Sequence, residues 1–120
     1  MKVLIVCILS LLIGTGTPRI SSIDQGGTWI YLYNEFGQKY KTLSVSSVGE
    51  IVGYSSTFFV SRSGNWYYLW DADGQKYKTL SVSSIGEIIS VSGDTFTSRT
   101  ANWIYTWDCN GNKINTRAAR

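Results

Sequence analysis

The stretch Gly64–Ser84, GNWYYLWDADGQKYKTLSVSS, carries the pattern on which the rest of the chain is built. It reads as a strand, a tight turn closed by glycine, and a returning strand. Trp66, Tyr68 and Trp70 fall on one face of the first strand and Tyr67 and Leu69 on the other, so both faces are apolar. A strand with one face in water alternates apolar with polar residues; one that is apolar on both faces lies between two packed layers. The returning strand alternates more regularly and carries lysines, which makes it the more exposed partner.

Outward from this block the same pattern recurs. Trp29, Trp66 and Trp103 each lead a copy, and 66 − 29 and 103 − 66 both equal 37. The segment Gly37–Ile51 matches Gly74–Ile88 at 14 of 15 positions, Val48 against Ile85 being the exception. A fixed period of this size is the signature of a repeat architecture. The turns NEFG (34–37), DADG (71–74) and DCNG (108–111) each end in glycine, as a turn needing a positive φ at its last position requires. A full unit holds four short strands, GEIVGYS, TFFVSRSG, NWYYLWD and QKYKTLSV, and no helical period is visible. The expected organisation is a single all-β domain over 1–120 with repeats at approximately 12–48, 49–85 and 86–120.

Four antiparallel strands in a unit of this length form either a β-propeller blade or one unit of a β-trefoil. The two-sided aromatic strand favours blades, because each blade is packed by a neighbour on both sides. The small residues of GEIVG and GEIIS suit the crowded innermost strand. A trefoil remains the alternative, since three units complete it within one chain. Three blades do not close a ring, so the propeller reading implies that two chains combine into six.

Residues 1–16, MKVLIVCILSLLIGTG, admit two readings. One is a secretory signal, with Lys2, an apolar run and small residues at a cleavage point. The other is a worn repeat strand: residues 2–14 set against 41–53 share Lys, Leu, Val and the final Gly. The apolar run is shorter than the ~18 residues a bilayer crossing needs, so no membrane span is expected.

Composition narrows the chemistry. The net charge of +3 permits an anionic partner without the dense basic stripe of a nucleic-acid binder, so no specific nucleic-acid binding is expected. Histidine is absent, which removes the commonest general base and metal ligand. The two cysteines, Cys7 and Cys109, are too few for a disulfide scaffold or a zinc site. Asp71-Ala72-Asp73-Gly74 has the outline of a calcium loop, but the other copies lack the paired acids and it reads as a hairpin turn. Cys109, expected at the surface in its turn, has no base to activate it. No catalytic residue, metal or cofactor is therefore expected, and the chain reads as a binding protein and not an enzyme.

Two sets of residues are candidates for binding. Lys39, Lys76 and Lys113 recur every 37 residues, as do Arg62 and Arg99, and in a ring they would form a circle of cations suited to a phosphate, nucleotide or acidic sugar. Glu50 and Glu87 could instead pair with those arginines. Aromatic side chains in repeats can stack on sugar rings. The leading tryptophans read as core, with Trp66 buried, which leaves Tyr40, Tyr77, Tyr54 and Phe36 as the exposed candidates.

The hairpin Gly64–Thr79 resembles the aromatic hairpin of choline-binding and glucan-binding cell-wall repeats. Those repeats are about half as long and lack the two preceding strands, so their ligand does not carry over. The whole unit, and above all ANWIYTWDCNGNKINTRAA (Ala101–Ala119), is similar to short Trp/Tyr-rich repeat proteins of bacteriophages and gut-bacterial mobile elements. That resemblance implies a phage origin and a β-repeat fold and no particular activity. The expectation is a homo-oligomer that binds carbohydrate or an anionic nucleotide-like ligand at symmetry-related sites; the alternative is a virion, fibre or assembly component. Bacterial cytoplasm or virion is the expected location, or the exterior if residues 1–16 are a signal.

Overall fold

A computed structural model of the chain describes residues 18–119. In order, the elements are β1 (Ser22–Gly26), β2 (Trp29–Tyr33), β3 (Lys39–Ser44), α1 (Val45–Val48), β4 (Glu50–Tyr54), β5 (Phe58–Ser63), β6 (Trp66–Asp71), β7 (Lys76–Ser81), α2 (Val82–Ile85), β8 (Glu87–Ser92), β9 (Thr95–Arg99), β10 (Trp103–Asp108) and β11 (Lys113–Ala118). The strands form three separate antiparallel meanders, β1-β2-β3, β4-β5-β6-β7 and β8-β9-β10-β11, and none closes into a barrel. The N-terminal strand or signal expected over 1–16 lies outside the described residues.

The sheets are layered in sequence order, with the second in the middle. On one of its faces Phe58, Val60, Tyr67 and Leu69 bury against Ile88, Phe96 and Trp107 of the third sheet. On the other, Phe59 and Trp70 bury against Ile30 and Leu32 of the first. The alternation read in WYYLW thus feeds two cores at once. The two junctions use corresponding residues, because Ile30 and Leu32 occupy the positions of Tyr67 and Leu69 one repeat earlier. The stacking is therefore head to tail, each sheet offering one kind of face forward and the other backward.

The second and third sheets come closest along their first strands. A Cβ on Gly53 in β4 would lie 2.7 Å from Val91 Cγ2 in β8, so only a residue without a side chain fits. The molecule measures 41 × 40 × 21 Å. Its short dimension is about the ~20 Å length of a six-residue strand.

Register shifts recur at fixed places. In β7, Leu69 pairs with Lys78 and Trp70 with Lys76, so Tyr77 is an extra, unpaired residue; β3 and β11 repeat this at Tyr40 and Ile114. A bulge re-aims the extra side chain. Here it sends Tyr40 and Tyr77 out of their own sheets, where their hydroxyls donate to Ala72 O (2.6 Å) and Cys109 O (2.5 Å) in the turn of the following sheet. Val52 in β4 and Ile89 in β8 are bulged in the same way.

Two elements depart from the strand-only expectation. Ser44 and Ser81 end their strands and cap one-turn helices, their hydroxyls accepting from Ser47 N and Ser84 N, with Gly49 and Gly86 closing them. The serine that looks like the tail of a strand is an N-cap. Val48 and Ile85 on these helices drop into the two cores.

Candidate functional site

Among the described residues the large hydrophobic side chains left exposed are Trp29, Phe36, Tyr54, Trp66, Ile89, Trp103 and Ile114. Three of these are the leading tryptophans, at 49, 49 and 47% exposure. This corrects the expectation that they are core. The buried indoles are the second tryptophans of the strand, Trp70 and Trp107, each stacked on a phenylalanine, Phe59 or Phe96. Their N–H groups donate to Ser61 Oγ and Ser98 Oγ (2.9 Å each), which donate in turn to Val48 O (2.7 Å) and Ile85 O (2.6 Å). Along one strand the sheet thus keeps one indole fully satisfied inside and presents another to water.

The exposed indole sits at the strand end next to the Gly64-Asn65 turn, where Trp66 pairs with Ser63 and Ser81 at the rim of the sheet. Beside it lies an open groove of about 440 Å³ lined by Asn65, Trp66, Ser81, Val82 and Ser83. Val82 N donates to Asn65 O (2.9 Å), locking the turn to the helix, and the hydroxyls of Ser81 and Ser83 lie 2.8 Å apart. The first repeat builds the same corner: Val45 N donates to Thr28 O (2.9 Å), and Ser44 Oγ lies 3.1 Å from Ser46 Oγ, beside Trp29. The third keeps Asn102 and Trp103, with Ala119 N on Asn102 O (3.0 Å) as Val82 N is on Asn65 O, but in sequence Ala118 and Arg120 stand where Ser81 and Ser83 supply the hydroxyls. The three indoles lead equivalent strands of three similarly built sheets, so all lie toward the same end of the meanders. The strand pattern alone hid them because a residue at a strand terminus has a neighbour on one side only. The signal available in sequence, at Trp29 and Trp66, was the tryptophan directly after a two-residue turn, with serines five and three positions before the next glycine.

The other candidate residues fall elsewhere. Tyr40 and Tyr77 are partly buried and serve the sheet junctions. Burial, followed by the nearby carboxylates Asp73 and Asp71, pushes the Tyr40 phenol up to about 12. Burial raises Tyr77 further, with Asp71, Asp108 and Asp94 adding to it. Tyr54 and Phe36 are exposed as expected, at 39 and 78%, at the opposite end of their strands from the indoles. Cys109 is fully buried, against expectation, because its turn packs under the preceding sheet.

Lys39, Lys76 and Lys113 do repeat, but each ammonium lies over a tyrosine of its own sheet, Tyr31, Tyr68 or Tyr105, at 4.5, 4.1 and 4.2 Å from the ring centre. Arg62 donates to Gly64 O (3.0 Å), lies over Tyr67 and faces Glu87 of the next sheet at 3.7 Å. A pocket of about 260 Å³ beside it is lined by Glu50 and Glu87 as well as Arg62, so two carboxylates offset the one guanidinium. Arg99 pairs in register with Glu87 at the exposed end of β9. The turn carboxylate Asp71 is occupied by its own backbone, accepting from Asp73 N (3.0 Å) and Gln75 N (2.9 Å).

Among the described residues no three His, Cys, Asp or Glu side chains are grouped to hold a metal ion. No helix among them is long and apolar enough to cross a membrane. No protein-family model and no curated protein matches the chain.

Proposed function

We propose that the chain is a carbohydrate-binding repeat protein whose sites are the grooves led by Trp29, Trp66 and Trp103, built on blades of a propeller. The observation that carries the reading is the repeated half-exposure of one indole per repeat, while in the second and third repeats its strand partner two turns of the pleat away, Trp70 or Trp107, is buried. Core packing accounts for the second and not for the first. A pyranose has an apolar C–H face and a hydroxyl rim; an indole face bordered by an amide and two hydroxyls complements both. An open groove suits individually weak sites, and several on one molecule raise the overall affinity toward a polymeric ligand.

The blade reading is supported by the layered meanders, the close approach of the first strands and a thickness of one strand. A trefoil needs strands from its three units to close a barrel, which these separate sheets do not form. An anionic ligand is less well served: the repeated lysines sit on tyrosine faces, and the arginine pocket is rimmed by glutamates.

The test is a glycan screen with wild type and with Trp29, Trp66 and Trp103 each changed to alanine. Binding that falls with each substitution, most steeply at Trp29 and Trp66 where the hydroxyls are present, supports the reading. Wild-type protein that retains no glycan would favour the structural, virion or assembly role instead.

A further inference from the structure

Among the described residues the head-to-tail layering leaves two faces unmatched, the rear of the first sheet and the front of the third, and Ile89 and Ile114 lie exposed on the second of them. Val52 and Tyr77 are the bulged residues that the second sheet sends into the junction with the third. Their counterparts one repeat later, Ile89 and Ile114, are 53 and 48% exposed on the third sheet's free front. A terminal sheet that faced only water would have no use for two isoleucines aimed outward by bulges, since capping repeats carry polar outer faces.

The complementary surface is the first sheet's turn. At the junction of the second and third sheets, Leu80 meets the turn of the following sheet: a Cβ on Gly111 would lie 3.1 Å from Leu80 Cδ2. The residue two before that glycine, Cys109, is fully buried. Register puts Arg117 opposite Ile104 just as Leu80 is opposite Tyr67, so Arg117 takes the place of Leu80 on the third sheet. The place of Cys109 in the first sheet's turn is held by Glu35, and Gly37 beside it has nothing within 4 Å of its Cβ position. A junction of the same geometry between the third sheet of one chain and the first sheet of another brings an arginine to a glutamate. A glutamate at a position that is otherwise fully buried requires such a partner.

We infer that two copies of the chain associate head to tail at both ends, the Ile89, Ile114 and Arg117 face of each seating on the Glu35 turn of the other. This goes beyond the sugar-binding reading and does not depend on it. Repeated heterologous contacts close into a ring when the rotation permits, and such rings hold ~4 to 8 blades. Three sheets are too few and two chains supply six. The junction between chains is specified by the Arg117–Glu35 pair at the turn, where the junctions within the chain place Leu43 and Leu80 against the following turn.

The experiment is size-exclusion chromatography with light scattering on the full chain. Wild type is expected at twice the 13.4 kDa chain mass. Arg117→Glu and Glu35→Arg each place like charges together at both junctions and should weaken the pair at least ~10-fold; the two changes combined should restore it. Ile114→Asp provides a second break that does not rely on the charge pair. A monomeric wild type, a larger open assembly, single charge variants that dimerise like wild type, or a double variant that stays monomeric would each overturn the inference.

Discussion

Replacing Ser61 with alanine removes one oxygen that serves two buried groups. Its hydroxyl donates to Val48 O at the end of α1 and accepts from Trp70 Nε1, and Ser61 is itself fully buried. Alanine fits the space but leaves a carbonyl and an indole N–H without partners. Each such group costs about 1 to 3 kcal/mol, so Ser61→Ala should destabilise the fold by about 2 to 4 kcal/mol. With a urea dependence of about 2 kcal/mol per M, the midpoint falls by about 1 to 2 M. The sharper quantity is the coupling. Trp70→Phe keeps the ring stack on Phe59 but removes the N–H, so in that background Ser61→Ala orphans only Val48 O and should cost about 1 to 2 kcal/mol less than in wild type. The assay is urea unfolding followed by far-ultraviolet circular dichroism at one protein concentration for wild type, both single variants and the double. Strictly additive costs would refute the shared hydroxyl. Ser98, with Ile85 O and Trp107, should give the same cycle in the third sheet.

Alkaline stability follows from the raised tyrosines. With folded values above the ordinary phenol value of ~10, Tyr40 and Tyr77 keep their protons in the folded chain while the unfolded chain loses them. Their contribution is fully present below pH ~10 and declines as pH rises toward 12 and beyond. The thermal midpoint should fall over that window, and Tyr40→Phe with Tyr77→Phe, though less stable at neutral pH, should flatten the decline; an unchanged slope would contradict the junction role. Gly53→Ala should lose about 1 to 3 kcal/mol by overpacking against Val91, and Val91→Ala in the same chain should recover part of it, both read by thermal melting.

The period, the two-sided strand and the glycine turns were legible in sequence because each rests on a local rule: a repeat spacing, an alternation of two, a positive φ at Gly37, Gly74 and Gly111. What escaped depends on position within the sheet or on a neighbouring sheet. Trp66 and Trp70 lie on the same face of β6, and only the sheet rim distinguishes the exposed ring from the buried one. Tyr77 sits in a lysine-rich strand that reads as exposed, yet a bulge turns it into the next layer. The capped helices at Ser44 and Ser81 are too short to show a period. The pairing of Glu87 was anticipated, though Arg62 reaches it across a sheet junction while its register partner in the same sheet is Glu50.

The most direct test of the central claim is a titration of the indole N–H resonances of the full chain with short oligosaccharides of glucose, N-acetylglucosamine, mannose and galactose. The chain has five tryptophans, so five signals report separately on exposed and buried rings. The account predicts that the saccharide that binds shifts Trp29 and Trp66, and more weakly Trp103, while Trp70 and Trp107, whose N–H groups are held by serines, stay in place. Shifts confined to Trp70 and Trp107, or no shift with any saccharide, would contradict it.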